Sequence, residues 1–503
     1  MSDKISKLKP EAVWKEFNRI LGVPRPSKKE AKMVAYLEQW AKDHNISYIK
    51  EECGNIIMYV PATKGMEDRQ TVALQAHMDM VCDKLPEINH DFEQDPIKVQ
   101  IENGCVKTYG TTLGADNGIG MSAALAVIAD PKVEHGPLEC IFTVDEETGL
   151  NGAYNLDPKD VTGRILLNLD TEDEGEIYIG CAGGMTTNIM FMHKMTRTKE
   201  DYSAFKISIK GLHGGHSGVE INNGYTNAIK LLAEILNDLE GYLDDMSLYD
   251  IQGGSQHNAI PKQASAVICI PNNCINDLLF FFDNLEGSLK EKFGDKEPNL
   301  EVKIEATKRP DVVLTEESHL KLIYGLLKCE NGVIKMSDEL KDLVETSSNL
   351  ALIMKKEGHF FIQTSQRSCI ARELRKVCFT MKYLWEELGA EVEHTGQYPG
   401  WAPNPNSPIL DIAVNCYKKR FNKDPKVRII HAGLECGVIS DKFPGMDMIS
   451  FGPTIRGEHT PDECCEIATV QMFWDFMCDI LKNVPKVTKK NEDSDEFPVA
   501  EVH

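Results

Sequence analysis

The sequence predicts an α/β protein in which one discontinuous domain is interrupted by a second, inserted α/β domain. Helical and strand-like patterns alternate over residues 1–187, as they do in layered α/β domains. The pattern changes after the Gly-rich segment 180–184, and the earlier style returns only beyond the insertion. We therefore assign residues 1–187 and 394–485 to the first domain and residues 188–393 to the insertion.

Periodicity places the individual elements. In the first part of the chain we predict helices over 10–21 and 28–44, strands over 55–60, 71–76, 138–144 and 164–169, and a small-residue helix that opens at Asn117 or Gly118. In the insertion, strands and helices alternate over 204–210, 228–239, 264–270, 276–292, 300–306 and 370–388. The last part contains strands near 426–430 and 446–451 and a helix over 467–481. No fixed-period repeat stands out, but the insertion is long enough for two similar α/β halves. The charge-rich segment 486–503 is predicted to be a disordered tail.

Composition excludes several classes of protein. The 503 residues are 42% hydrophobic, enough for two or more domain cores, and no apolar run suggests a membrane span or a secretory signal. A net charge of −23 argues against binding nucleic acid, which requires a positive surface. The 15 cysteines form no Cys-x-x-Cys pair, and several lie within apolar segments. We expect a soluble cytoplasmic protein with reduced, mostly buried thiols.

Five short segments each follow an apolar run and contain a potential metal ligand. They are His77-Met-Asp79, Gly-Ala-Asp116-Asn-Gly, Asp145-Glu146-Glu147-Thr-Gly, Asn-Leu-Asp170-Thr and Gly-Glu-His459-Thr-Pro. Several of these ligands follow predicted strands, and ligand sites in open α/β sheets form outside the carboxyl ends of strands. Imidazole and carboxylate ligands without thiolates are typical of a catalytic rather than a structural zinc site. The set therefore indicates a hydrolase with two zinc ions.

The residue types also indicate roles. Asp116, in a tight loop, is the natural bridge between two ions, since two Zn²⁺ with three carboxylates and one hydroxide give a neutral core. Glu146, beside the ligand Glu147, is the candidate general base for a dizinc-bound hydroxide. Asp79 can accept the second N–H of His77 and so fix its tautomer. Each segment alone is a weak signal, because a single His-x-Asp is usually incidental and a Glu-Glu pair is usually solvated.

Taken in order, these motifs resemble those of the aminoacylase and carboxypeptidase clan of co-catalytic zinc peptidases, and most closely those of the cytosolic aminoacyl-histidine dipeptidases. The signatures that carry the resemblance are Leu74-Gln-Ala-His-Met-Asp-Met-Val81, Thr112-Leu-Gly-Ala-Asp-Asn-Gly-Ile-Gly120, Phe142-Thr-Val-Asp-Glu-Glu-Thr-Gly149, Leu167-Asn-Leu-Asp-Thr-Glu-Asp-Glu-Gly175 and Gly452-Pro-Thr-Ile-Arg-Gly-Glu-His-Thr-Pro-Asp-Glu463. The resemblance implies one zinc on His77 and Asp170 and another on Glu147 and His459, with Mn²⁺ or Co²⁺ as possible substitutes. It also implies that the insertion is a lid, often used for dimerisation, so we expect a homodimer.

The resemblance implies further residues that contact the substrate. His216, in Gly-Leu-His-Gly-Gly-His216-Ser-Gly, matches the histidine that reaches the reacting carbonyl, from the partner subunit in dimeric relatives. Asn258 and Arg367 match lid positions that contact the substrate, and Arg367 offers a planar fork for a free carboxylate. Glu435 is a candidate to bind the substrate amino group. His213 adds a second imidazole near His216 and leaves open which of the two contacts the substrate.

We expect a metallodipeptidase that cleaves unblocked dipeptides, including Xaa-His substrates such as β-Ala-His. Two alternatives stay open: an N-acyl amino acid hydrolase or carboxypeptidase of the same clan, and a catalytically silent scaffold protein. Preference for N-acetyl-His over Ala-His would favour the first. Competent residues at all seven metal-site and base positions count against the second.

Overall fold

A computed structural model of the chain describes residues 4–243, 245–338 and 343–487. It divides into two compact units. Unit 1 lies within Met1–Gly180, Pro403–Ile429 and Leu434–His503, and unit 2 comprises Cys181–Ala402 and Ile430–Gly433. Both units are mixed α/β structures, as the sequence predicts, and no described helix is long and apolar enough to cross a membrane.

The first stretch of the chain forms the elements α1 Glu11–Ile20, α2 Ala31–Asp43, β1 Ser47–Lys50, β2 Ile56–Val60, β3 Val72–His77, β4 Val99–Glu102, β5 Cys105–Thr108, α3 Ala115–Ala129, β6 Leu138–Thr143, α4 Asn151–Asn155, β7 Ile165–Asn168 and β8 Glu176–Cys181. The next stretch forms β9 Gly183–Met192, β10 Met195–Arg197, β11 Tyr202–Lys210, α5 Ala228–Tyr242, β12 Ser247–Gly253, β13 Ala264–Pro271, α6 Ile275–Phe293, β14 Glu301–Thr307, β15 Val312–Leu314, α7 Glu316–Lys328, β16 Gly332–Met336, β17 Val344–Lys355, β18 His359–Ser368, α8 Ala371–Glu387 and β19 Ala390–Tyr398. The last stretch forms α9 Pro408–Phe421, β20 Lys426–Ile430, α10 Glu435–Lys442, β21 Asp447–Ser450, β22 Ile455–Arg456, β23 Cys464–Glu466 and α11 Ile467–Asn483.

The main sheet of unit 1 has eight strands in the order β1-β2-β6-β3-β7-β21-β8-β20. Its centre is parallel, because β3 pairs in parallel with β6 and β7, and β7 pairs in parallel with β21. Strands β3, β6 and β7 are buried along their whole length and are rich in Leu, Ile and Val, which is typical of a parallel sheet covered on both faces. Their carboxyl ends meet at one edge, so the residues that follow them are brought together.

Unit 2 contains a nine-stranded sheet whose main path is β14-β11-β13-β12-β17-β18-β9-β19, with β16 pairing to β17. Two βαββαβ halves build it. One is β11-α5-β12-β13-α6-β14 and the other is β9-α7-β17-β18-α8-β19, and both have the strand order fourth-first-third-second. They meet where the second strand of each pairs antiparallel, at Gly253 and Ile353. Unit 2 thus contains two similar α/β halves, and they begin before residue 188 and end after residue 393.

The helices of unit 2 cover one face of this sheet. Ile189 and Phe191 of β9 belong to a core that includes Leu232 of α5 and Trp385 of α8. Burying such side chains stabilises the fold by about 1.5–3 kcal/mol each.

The predicted tail starts at residue 486. Lys486 forms a β-bridge with Arg69, and the Val487 N–H donates to the Asp68 carbonyl at 2.8 Å. The remainder of that prediction, 488–503, lies outside the described residues.

Candidate active site

Most of the predicted ligands lie at or just after the carboxyl ends of parallel strands of unit 1. His77 is the last residue of β3, Glu146 and Glu147 follow β6, and Asp170 follows β7. Asp116 lies in the first turn of α3, where the backbone is not yet helical. His459 lies in the loop between β22 and β23 and has a left-handed backbone with φ of 62°.

The ligand side chains form two groups that share Asp116. In one group, the His77 Nε2 atom lies 2.9 Å from Asp116 Oδ1 and 3.3 Å from Asp170 Oδ1. In the other, the His459 Nε2 atom lies 3.0 Å from Asp116 Oδ2 and 2.9 Å from Glu147 Oε2. Each group places its three ligand atoms within 4.8 Å of one another, and so could hold a metal ion. The two oxygens of Asp116 face different groups, which is the arrangement that a bridging carboxylate requires.

The electrostatics of these groups fit divalent cations. Burial opposes protonation of His77, but Asp170, Asp116 and Asp79 outweigh it and raise its pKa well above the ordinary value. Hydrogen bonds to Asp116 and Glu147 raise the pKa of His459 to about 11. The carboxylates thus attract positive charge to both imidazoles. Glu147 Oε1 is buried and has no hydrogen-bond partner among the described residues, which leaves an oxygen for a cation.

Asp79 links His77 to the segment that carries the two glutamates. β3 ends at His77, so Asp79 lies in the loop after the strand, and its Oδ1 is 3.3 Å from His77 Nδ1. The same carboxylate accepts the Glu146 N–H at 3.0 Å and the Glu147 N–H at 3.3 Å. Asp79 is fully buried, so these contacts are shielded from water. It therefore orients one imidazole and one ligand loop together.

Glu146 offers a carboxylate oxygen in a group with His77 and Glu147. Burial, reinforced by the charges of Asp170 and Glu147, raises its pKa well above the ordinary value. A carboxyl group that binds a proton more readily than usual suits a residue that must take up a proton and release it again.

Two residues that the sequence analysis missed hold the Asp116 loop. The buried Glu463 carboxylate accepts four backbone N–H groups, from Leu113 at 2.7 Å, Gly114 at 2.9 Å, Ala115 at 2.8 Å and Asp116 at 3.3 Å. The Arg25 guanidinium, also buried, donates to the carbonyls of Met78, Asp79 and Gly114. Glu463 occurs within a quoted signature, but nothing local signals its role, since its partners lie about 350 residues away.

Glu435 is the first residue of α10 and is fully buried. Its Oε2 accepts from Gln75 Nε2 at 2.5 Å and from Thr143 Oγ1 at 2.7 Å. Burial raises its pKa to about 7. Its Oε1 has no partner among the described residues, so this oxygen alone is left for a ligand. The predicted contact with a substrate amino group stays a prediction.

The other three predicted residues lie in unit 2. The segment around His216 pairs with the segment around Asn258, because His216 forms a β-bridge with Ala259 and the Ser217 N–H donates to the Asn258 carbonyl at 2.8 Å. His216 Nδ1 accepts the N–H groups of Gly218 and Val219, both at 3.2 Å. The proton of the neutral ring therefore lies on Nε2, which can donate. Burial and the charge of Arg367 lower the pKa of His216 to about 4, so the ring is neutral at pH 7.

His216 and the nearby His213 have different surroundings. The ring of His213 stacks on Tyr225, with 4.0 Å between ring centroids.

Arg367, in β18, is only 7% exposed, and its Nη1 donates to Tyr398 Oη at 2.9 Å. Its charge lowers the pKa of His216, so these two predicted residues interact.

Comparisons with known proteins agree with the motifs. The family model described as Peptidase family M20/M25/M40 matches residues 73–483. The chain is 40% identical over 482 residues to the cytosol non-specific dipeptidase of Escherichia coli, covering 96% of this chain and 99% of that protein. It is also similar to the crystal structure of aminoacylhistidine dipeptidase from Vibrio alginolyticus, with a TM-score of 0.90 and 39% identity over 96% of this chain and 99% of that one. Aminopeptidase PepT from Bacillus cereus shares the fold, with a TM-score of 0.56 and 18% identity over 95% of this chain and 99% of that one.

Proposed function

Because the chain belongs to peptidase family M20/M25/M40, we propose that it is a metallodipeptidase that hydrolyses unblocked dipeptides, including Xaa-His substrates. The observation that carries the proposal is the pair of ligand groups that share Asp116. The names of the two relatives that the chain covers almost completely support the substrate class, since one is a non-specific dipeptidase and the other an aminoacylhistidine dipeptidase. The first relative's name also supports action in the cytosol.

We propose that His77 and Asp170 hold one Zn²⁺, that Glu147 and His459 hold a second, and that Asp116 bridges them. Such ions, when bound, lower the pKa of water and polarise a carbonyl oxygen. Imidazole and carboxylate ligands suit Zn²⁺, while Mn²⁺ or Co²⁺ can occupy the same ligand types.

In the proposed reaction, Glu146 takes a proton from the attacking water and delivers it to the leaving amine. Its raised pKa supports this exchange, because the carboxyl can hold the proton between the two steps. Asp79 keeps His77 and the Glu146 loop in place through the contacts described above.

The substrate contacts of unit 2 complete the proposal. His216 donates from Nε2 to the oxygen of the reacting carbonyl, as its tautomer permits. Arg367 binds the free carboxylate of the dipeptide. Asn258 makes a further substrate contact, and Glu435 binds the substrate amino group through Oε1. We further propose that the inserted domain of residues 188–393 acts as a lid and that the protein is a homodimer, as expected for the family.

The test is hydrolysis of Ala-His with added Zn²⁺ or Mn²⁺ by the wild type and by the Glu146→Ala variant. We expect the variant to lose about 10²- to 10⁴-fold in kcat while it binds the same amount of metal. Full activity in Glu146→Ala would remove Glu146 from the mechanism. Faster hydrolysis of N-acetyl-His than of Ala-His would contradict the dipeptidase assignment. A wild type that binds metal but cleaves neither compound would favour a scaffold protein.

A further inference from the structure

One row of residues crosses four neighbouring strands of the unit 2 sheet and contains Arg367. Ser347 of β17 lies opposite Arg367 of β18, Arg367 lies opposite Gly184 of β9, and Gly184 lies opposite Tyr398 of β19. Directly opposite residues of antiparallel strands present their side chains on the same face of a sheet. The row is therefore one continuous strip.

The strip lies on the sheet face opposite the helices. Met185, next to Gly184 in β9, packs against Leu374 and Cys378 of α8. Successive residues of a strand point to opposite faces, so the side of Gly184 faces away from α8. The polar groups of the strip thus do not belong to the helix-covered core of unit 2.

Gly184 makes the central contact of the strip possible. A Cβ atom at this position would lie 2.5 Å from Cζ and Oη of Tyr398, closer than any real contact of this kind. Without that atom, the phenol ring lies across the β9 backbone, and its hydroxyl accepts the hydrogen bond from Arg367 Nη1 at 2.9 Å. The glycine and the tyrosine together hold the guanidinium in one position.

The guanidinium is buried without a counter-charge. Arg367 is 7% exposed, and within the described residues no carboxylate forms an ion pair with it. Its Nε atom is buried and has no hydrogen-bond partner among the described residues. A buried cation normally has an anionic partner, because an unpaired charge is costly to remove from water. A neutral phenol as its partner leaves the positive charge available to a ligand.

The nearby imidazoles of His431 and His216 add no positive charge to that of Arg367. His431 Nε2 lies 2.8 Å from Ser347 Oγ at one end of the strip. Burial and the charge of Arg367 lower the pKa of His431 to about 3, and the same two causes lower that of His216 to about 4. Both rings are neutral at pH 7. The strip is therefore suited to a ligand with a single negative charge, such as a carboxylate.

We propose that Tyr398 is a positioning residue that fixes the Arg367 guanidinium for the C-terminal carboxylate of the substrate, and that Gly184 is required for this contact. The inference rests on the proposed function, which assigns Arg367 to that carboxylate. It adds that selectivity for a free carboxylate depends on the Tyr398 hydroxyl and on a glycine that is distant from Tyr398 in sequence but lies opposite it on the neighbouring strand of the sheet.

The test compares Ala-His with its C-terminal amide. For the wild type, we expect kcat/KM to favour the free carboxylate by at least about 100-fold. Tyr398→Phe should reduce this preference by roughly 10-fold, through a higher KM for Ala-His with little change in kcat and little effect on the amide. Gly184→Ala should reduce it in the same direction. Tyr417→Phe removes another phenol, which donates to Glu174 in unit 1, and should leave the preference unchanged.

Binding of both compounds to Glu146→Ala, measured by calorimetry, separates this inference from the proposed function. If the wild type cleaves neither compound, the proposed function fails, and the binding preference still decides the inference. If the wild type uses or binds both compounds equally, carboxylate recognition is wrong. If Tyr398→Phe lowers kcat/KM for both compounds to the same extent, the hydroxyl has only a general structural role and the inference is overturned.

Discussion

Replacing Glu463 with glutamine tests whether a distant carboxylate holds the loop that carries Asp116. The two oxygens of Glu463 each accept two backbone N–H groups, Oε2 from Leu113 and Gly114 and Oε1 from Ala115 and Asp116. In Glu463→Gln, one oxygen becomes an NH₂ group that cannot accept. Two buried N–H groups then lose their partner and face another donor.

The magnitude follows from these contacts. An unsatisfied buried N–H costs about 1–3 kcal/mol, so two cost about 2–6 kcal/mol. The amide will turn its NH₂ towards Ala115 and Asp116, since the Asp116 contact is the longest at 3.3 Å. Burial raises the pKa of Glu463 to about 7, so removing its charge relieves part of the cost of burying it. We therefore expect the lower end of the range, about 2–3 kcal/mol.

The assay is amide hydrogen exchange at residues 113–116, because the effect is local to this loop. A loss of 2–3 kcal/mol corresponds to about 30- to 150-fold faster exchange. Metal affinity should fall as well, since Asp116 would be less well oriented. Glu466→Gln is the control, because it removes a carboxylate three positions along the chain but outside this loop. Unchanged exchange and unchanged metal affinity in Glu463→Gln would show that the Glu463 carboxylate does not hold this loop.

Three other variants test the roles of Asp79, His216 and His319. Asp79→Asn leaves an NH₂ group facing a donor and loosens His77, so metal affinity measured by competition with a chelator should fall about 10- to 100-fold, and an unchanged affinity would contradict this role. Gly218→Ala would place a Cβ atom 2.4 Å from the His431 carbonyl and 2.9 Å from His216 Cε1, so kcat for Ala-His should fall while metal content stays the same; an unchanged kcat would argue against His216. Burial lowers the pKa of His319 to about 4, so between pH 6.5 and 4 the unfolded chain binds a proton that the folded chain does not. The free energy of unfolding should therefore decrease by up to about 3 kcal/mol as the pH is lowered through this range. Thermal melts of His319→Gln should show a weaker loss over that range, and a slope equal to that of the wild type would count against this residue.

The local parts of the molecule could be predicted from the sequence. The strand predicted over 71–76 is Val72–His77, and the helix predicted over 228–239 is Ala228–Tyr242. Apolar periodicity determines such elements, because each buries one face or a whole strand. The α/β fold with an inserted unit and the membership of a peptidase family are likewise confirmed.

The parts that the sequence analysis missed depend on contacts between distant segments. Glu463 meets a loop some 350 residues earlier, and Gly184 meets Tyr398 only through the register of paired strands. No local pattern encodes such pairing, because register is set by the packing of the whole sheet. The same holds for Arg25, whose partners follow β3 and precede α3.

If Asp116 is shared by two metal sites, the number of metal ions that the protein binds depends on this one residue. A calorimetric titration of the metal-free wild type with Zn²⁺ should show that each chain binds two ions. Asp116→Ala should lose tight binding at both sites, because each site would lose one of its three protein ligands. One ion per chain in the wild type, or two tightly bound ions in Asp116→Ala, would show that Asp116 is not shared by two metal sites.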